Sequence, residues 1–388
     1  MNLLQYHLLI DMDTNIFNYF LQDMEDLELF DEFLEMKWLQ HIPKHAERYV
    51  MRKIKKRFNP LIDLPEEEFQ AKYHFTKDNM RRIIEMIRDD LEIDNYSETR
   101  SNQVPVELQI MAAIRYWSLS EHPEITALAH GVSKRILNKI SRRVAIALAS
   151  KASRYIRMPA TLAEKELITS AFHELAQMPQ VIGAVTHSSL RFQRNEAYET
   201  THNNSDPSEG LIHIQIVSDT SFKIRDLDCK MIDSNYTNNT NEFFSQTRIK
   251  ERFEQNEFRG RILLGDNRLM CTSCLFTPVE FPTVPEEQSF NRAHAITYAV
   301  ATNCLSLWKR RFGVLGSEIC SSYNTAKHLI IALALLHNMA IDWNDNSFEH
   351  MFNGYCNGDY SVSSSPLSIT SSRSEDLQTR QEFIKNNF

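Results

Sequence analysis

Residues 181–192 read "VIGAVTHSSLRF". Val181, Ile182, Val185, Leu190 and Phe192 supply the apolar side chains of a buried strand, and a Met-Pro turn at 178–179 stands just before it. The strand runs into Thr186, His187 and two serines, where a strand of a catalytic sheet would carry an acid. Whether that threonine is ordinary or a replacement governs how the rest of the chain is read.

Outward toward the C-terminus, further short strands follow. "GLIHIQIVSD" alternates Leu211, His213, Gln215 and Val217 against Ile212, Ile214 and Ile216, and "FKIRDLDCKMID" and "RGRILLGDNRL" continue the texture between the polar loops "NNSDPSEG" and "SNYTNNTNE". Helices then return. In "NRAHAITYAVATNCLSLWKRRF" residues Ile296, Val300, Cys304, Trp308 and Phe312 recur every fourth position and are expected to face inward, and "NTAKHLIIALALLHNMAIDW" follows. Strands followed by flanking helices make an α/β layer. Residues 346–388, Ser- and Asn-rich in "SVSSSPLSITSSRSED", read as a disordered tail with too little apolar material to fold alone.

Toward the N-terminus, residues 66–157 are helical almost throughout, with Met80, Ile83, Ile84 and Ile87 as one example of three- and four-residue apolar spacing. A helix-turn-helix pattern occupies about 123–148. Ile125, Leu128 and Ala129 form the first helix, Gly131 turns the chain, and Ser133 caps a second helix expected to carry Ile136, Leu137 and Ile140 inward. That second helix would expose Lys134, Arg135, Asn138, Lys139, Arg142 and Arg143, residue types that hold phosphates or read base edges. Two packed helices with an ordinary solvated face explain the same pattern. Before them, residues 44–57 ("KHAERYVMRKIKKR") carry seven basic residues against Glu47, and residues 4–41 are acidic and aromatic and read as a surface helix pair.

The chain has 388 residues, 42% of them hydrophobic, ample for a large core. A formal charge of −8 argues against coating nucleic acid by bulk electrostatics and leaves only local basic patches for such contact. Six scattered cysteines form no disulfide framework, so a reducing compartment is expected. The lone C-x-x-C of Cys271 and Cys274 has no second pair at finger spacing and reads as an ordinary helix start rather than a zinc site. His337 reads as a satisfied core or capping histidine, and His187 as a lone strand-end histidine without a fixed carboxylate partner. No signal peptide or membrane contact is expected: Asp11 and Asp13 interrupt the apolar N-terminus, and the most apolar run, 328–341, falls short of the roughly 20 residues a bilayer requires.

From 59 to 343 the order of motifs resembles one family, the Harbinger-type (PIF-like) transposases of the DDE superfamily and the nucleases domesticated from them. The landmarks are "NPLIDL", "RYIRMP", "MPQVIGAVTHSS", "LLGDNRL", "FNRAHA", "WKRRF" and "LLHNMAI". The resemblance implies an RNase H-like fold in which strand-end and helical acids hold two divalent cations, magnesium or manganese, for phosphodiester chemistry. Carried over by position, the first strand acid falls on Thr186, the loop acid at or near Thr240, the acid of the Gly-Asp pair on Asp266, and the helical glutamate on Thr302. Only Asp266 is a carboxylate. In a shifted register Asp219, Asp233 or Glu242 would be the compensating acids, although a supporting role suits them better.

The expected fold is therefore an α+β or α/β chain, an N-terminal all-helical domain with a helix-turn-helix followed by an RNase H-like mixed sheet with flanking helices. Its divisions are an N-terminal extension at 1–58, a helical domain at 59–160, the RNase H-like DDE-type domain at 161–345 and the tail at 346–388. The expected function is a nuclear, transposase-derived binding scaffold that no longer holds its metal. The resemblance also implies a Myb-like DNA-binding partner, with DNA itself, a homo-oligomer and a cytoplasmic pool as further expectations. An active metal-dependent nuclease and a helix-turn-helix DNA-binding protein stay open as alternatives.

Overall fold

The computed structural model describes residues 59–93, 104–193, 209–232, 240–345 and 374–388. The acidic and basic segments before residue 59, and Asp233, lie outside the described residues. Two compact units separate: 59–73 with Ile84–Val144, and His74–Ile83 with the chain from Ala145 onward.

The first unit is helical. Asn59 caps a single turn, α1 (Pro60–Asp63), by accepting the Leu61 N–H at 3.1 Å, and the three glutamates in the first turn of α2 (Glu66–Tyr73) suit its dipole. The later turns of α3 (Lys77–Ile93) follow, then α4 (Val106–Leu119), α5 (Pro123–Ala129) and α6 as far as Val144 (the whole helix being Lys134–Ser150). Trp117 on α4 donates to Ser141 Oγ on α6 at 2.8 Å, and the Tyr73 hydroxyl shares a 3.0 Å hydrogen bond with His130 Nε2. The turn between α5 and α6 passes through Gly131 at φ +63°, which a residue with a Cβ adopts only with strain. Leu137 and Ile140 are buried as expected, but Ile136 is 42% exposed. The inward stripe of α6 is Leu137, Ile140 and Val144, spaced by three and four, and Ile136 falls just outside its edge, about 40° beyond Ile140 and about 100° from Leu137.

The second unit is built on a mixed sheet of order β3-β2-β1-β4-β5. β1 (Val181–Gln193), β2 (Glu209–Ser218) and β3 (Ile224–Ile232) form an antiparallel meander, while β4 (Ile262–Leu264) and β5 (Leu275–Phe276) run parallel to β1. The short β6 (Ile319–Cys320) pairs with the far end of β1. With its flanking helices, this is the RNase H-like arrangement expected for a DDE fold. Close contact among the three central strands explains Gly183: a Cβ there would lie 2.5 Å from Val217 Cγ1.

Helices position the sheet. α7 (Ala152–Tyr155) is a single turn, and α8 (Leu162–Ala176) opens with a capping box between Thr161 and Glu164 and packs on β1. The short α9 (Thr240–Ser245) and α10 (Arg248–Glu254) follow the meander. The 27-residue α11 (Pro285–Arg311) begins with Pro285 and two glutamates, ends with three basic residues, and lies along β1 and β2. α12 (Tyr323–Asp342) is tied to β3 by Asn338, which accepts the Ile224 N–H and donates to its carbonyl, both at 2.8 Å. His337 is a core histidine, bonded to the Phe222 carbonyl at 2.8 Å.

Three expectations need correction in this unit. Ile296 is 57% exposed although Val300, Cys304, Trp308 and Phe312 are buried, because a four-residue repeat drifts about 40° per step around a helix. Cys271 and Cys274 lie in the loop before β5 rather than at a helix start. Residues 374–388 were expected to be disordered; instead α13 (Ser374–Asn387) sets Phe383 against Phe276 and Phe290, and Arg380 donates to the Thr277 and Pro278 carbonyls at 2.9 and 3.0 Å. The segment is too polar to fold alone, but two apolar residues suffice once the sheet domain supplies the opposing face.

Candidate functional site

The parallel pairing of Ala184 with Leu264 sets the site. Two residues further along each strand direction stand Thr186 and Asp266. Between Leu264 and Asp266, Gly265 lets the chain pass Leu269, whose Cδ1 would lie 2.8 Å from a Cβ. Thr186 is not at a strand end but inside the 13-residue β1, 2% exposed and paired with Ile216.

Both oxygens of Asp266 are engaged from within the chain. Its Oδ1 accepts the backbone N–H of Arg268 at 3.0 Å, and its Oδ2 accepts Arg268 Nε at 2.8 Å and Nη2 at 2.5 Å. From α11 the Tyr298 hydroxyl donates to the same Oδ2 at 3.2 Å, and the Thr186 hydroxyl bonds that phenol in turn. Burial, reinforced by the Asp266 charge, pushes the Tyr298 phenol above its ordinary range, so it stays protonated and able to donate. The Arg268 guanidinium, although partly desolvated, is held in its charged form by Asp266.

The other positions that the resemblance singles out add no charge. Thr240 opens α9, and its hydroxyl donates to the Arg268 carbonyl at 3.1 Å. Thr302, one helical turn beyond Tyr298, turns its hydroxyl back to the Ala299 carbonyl at 3.0 Å. His187 bonds the Gln215 amide at 2.9 Å rather than a carboxylate, near His213, whose ring stacks on Phe243 of α9. Burial holds His187 and His213 down to about 4, so both are neutral near pH 7.

The compensating acids lie elsewhere. Asp219 follows Ser218, opposite Ala184, and holds the β2–β3 turn by accepting the Ser221 and Lys223 N–H groups. Glu242 is exposed on α9 and bonds Gln246 one turn on. Of the basic candidates on α6, Lys134 pairs with Glu124 at 2.8 Å and Arg143 turns inward to Gln109 and the Leu91 carbonyl, whereas Arg135, Lys139 and Arg142 are exposed and Asn138 half-buried.

Arg268 and Tyr298 were not singled out from the sequence. Both leave a signal: an aspartate two residues before Arg268 can form an Asx turn, and Tyr298 precedes Thr302 by four on one helix face.

The family described as "DDE superfamily endonuclease" matches residues 184–338, the span from β1 through most of α12. The chain is similar to Harbinger-type nucleases of the DDE superfamily over most of its length. A Rattus norvegicus protein named "Putative nuclease HARBI1" is 26% identical over 293 residues, covering 73% of this chain and 80% of that relative. Its Homo sapiens counterpart is 25% identical over 287 residues with the same coverages, and that of Xenopus laevis 24% over 284 residues, covering 72% and 80%. No solved structure gives a significant match.

Harbinger-type relatives are associated with divalent metal, and the residues of this centre do not fit such an ion. A pair of hard dications needs several carboxylate oxygens, and here three of the four positions are threonines while the fourth is occupied by Arg268 and Tyr298. Among the described residues no three His, Cys, Asp or Glu side chains converge on a common point.

Proposed function

We propose that the protein is a domesticated Harbinger-type homologue that keeps the DDE fold without its cutting chemistry and serves in the nucleus as a DNA- or chromatin-associated scaffold, delivered by a Myb-like partner. The observation that carries this reading is the closed state of Asp266, the one acid at a family position, saturated by Arg268 and Tyr298. A neutral threonine hydroxyl is a poor ligand for a hydrated dication, so Thr186 and Thr302 do not restore the site.

Incubating the full chain with supercoiled and linear DNA in magnesium or manganese tests the reading. No cleavage is expected, in the natural chain or in Asp266→Ala. Metal-dependent cleavage that disappears in Asp266→Ala would overturn it in favour of an active nuclease.

The exposed Arg135, Lys139 and Arg142 favour a second, compatible role: direct contact of α6 with DNA phosphates. The chain's net charge of −8 limits such contact to this local face and suits delivery by a partner better than tight independent binding.

A further inference from the structure

We propose that Arg268 is the resident cation of this centre: its guanidinium holds the place on Asp266 that a divalent metal takes in a carboxylate site, and excludes metal even when the missing acids are restored. This rests on the reading that the centre has left the family's chemistry, and extends it from lost ligands to active exclusion.

A carboxylate offers about four lone-pair positions. On Asp266 the Arg268 side chain fills two at Oδ2, Tyr298 approaches the same oxygen at 3.2 Å, and the Arg268 backbone N–H takes one at Oδ1. The Arg268 backbone is fixed on both sides, its N–H closing the Asx turn and its carbonyl accepting from Thr240 at 3.1 Å, which sets the side chain at the distance its fork spans to Oδ2. Arginine does not deprotonate, so raising the pH does not release Asp266. One carboxylate against one guanidinium is already charge-balanced, whereas a two-cation centre needs several acids. Any dication reaching the half-buried Asp266 would approach a positive charge already paired with it.

Manganese titration of the full chain separates the possibilities. Four proteins are compared: the natural chain, Thr186→Asp/Thr302→Glu, and that double variant with either Arg268→Ala or Arg268→Gln. Glutamine removes the charge but keeps a donor for Asp266, which guards against simple loss of the loop, and thermal unfolding verifies that each variant folds. The expected result is no measurable binding by the natural chain, weak or no binding by the double variant, and binding at least about tenfold tighter once either Arg268 change is added. Adding Asp266→Ala to the best binder should abolish the gain. Equal affinity with and without Arg268, or no binding by either folded triple variant, overturns the proposal and leaves the scaffold reading intact. Manganese binding and cleavage by the natural chain would instead overturn the scaffold reading itself.

Discussion

Asp219 and Arg225 form a side-chain pair across the β2–β3 turn, Nε to Oδ2 at 2.5 Å, while Asp219 Oδ1 accepts the N–H groups of Ser221 and Lys223 at 2.9 and 3.1 Å. An acid that could be read as a spare metal ligand is therefore a turn staple, 2% exposed, with both oxygens engaged. Asp219→Ala should cost about 2–4 kcal/mol, since it strands two backbone donors and a partly buried guanidinium. Asp219→Asn keeps an acceptor at Oδ1 and should lose less. Urea denaturation measures both, and no loss in the alanine variant would remove the staple.

Acid should destabilise the sheet domain. Burial holds His74, His187, His213, His294 and His337 at about 4, and in the first unit His130 at about 3. Their unfolded values lie near 6.5, so the unfolded chain takes up protons first and stability is lost as pH falls from about 6.5 toward 4, by up to about 3 kcal/mol per histidine. Asp226, raised by burial to about 6, works in the opposite sense over part of that window. In the sheet domain five histidines against one aspartate set the sign. A melting temperature that rises between pH 6.5 and 5 would contradict it.

The C-terminal helix should be part of the cooperative fold. Phe383 is 8% exposed and meets Phe276, Phe290 and Phe388, so Phe383→Ala should cost about 3–5 kcal/mol. Gln378→Ala, at an exposed position of the same helix, should change stability by less than about 0.5 kcal/mol. Equal melting temperatures for the two variants would show that the helix is not docked in solution.

On α6 the basic residues should divide by role. Arg143 donates to Gln109 Oε1 at 3.2 Å and the Leu91 carbonyl at 2.8 Å, so Arg143→Ala should cost about 1–2 kcal/mol of stability and leave the salt dependence of duplex binding unchanged. Arg135→Ala and Arg142→Ala should leave stability unchanged and each reduce the slope of log affinity against log salt by about one. Fluorescence anisotropy across a salt series reads both, and an unchanged slope in the latter pair would remove α6 as a phosphate contact.

Much of the framework was legible from local pattern. The alternation in β2, the apolar run of β1, the Gly131 turn and the long helix α11 follow from periodicities that each segment carries on its own, because one buried face imposes a period of 2 or 3.6 whatever lies opposite. Ile136 and Ile296 were misread where spacing alone did not settle which side of a helix the core would choose. The fate of residues 374–388 depended on a surface more than 80 residues away in sequence.

The sequence by itself determined that threonine stands at 186, 240 and 302 and aspartate at 266, the positions the resemblance singles out, since this is a matter of residue identity and order. Only the tertiary structure decided what Asp266 does. A parallel pairing sets it level with Thr186, an Asx turn folds Arg268 back onto it, and α11 brings Tyr298 from 32 residues away to the same oxygen. Hydrogen-bond partners of a carboxylate are chosen by distance in space, and no local periodicity encodes a contact made between a strand end and a distant helix.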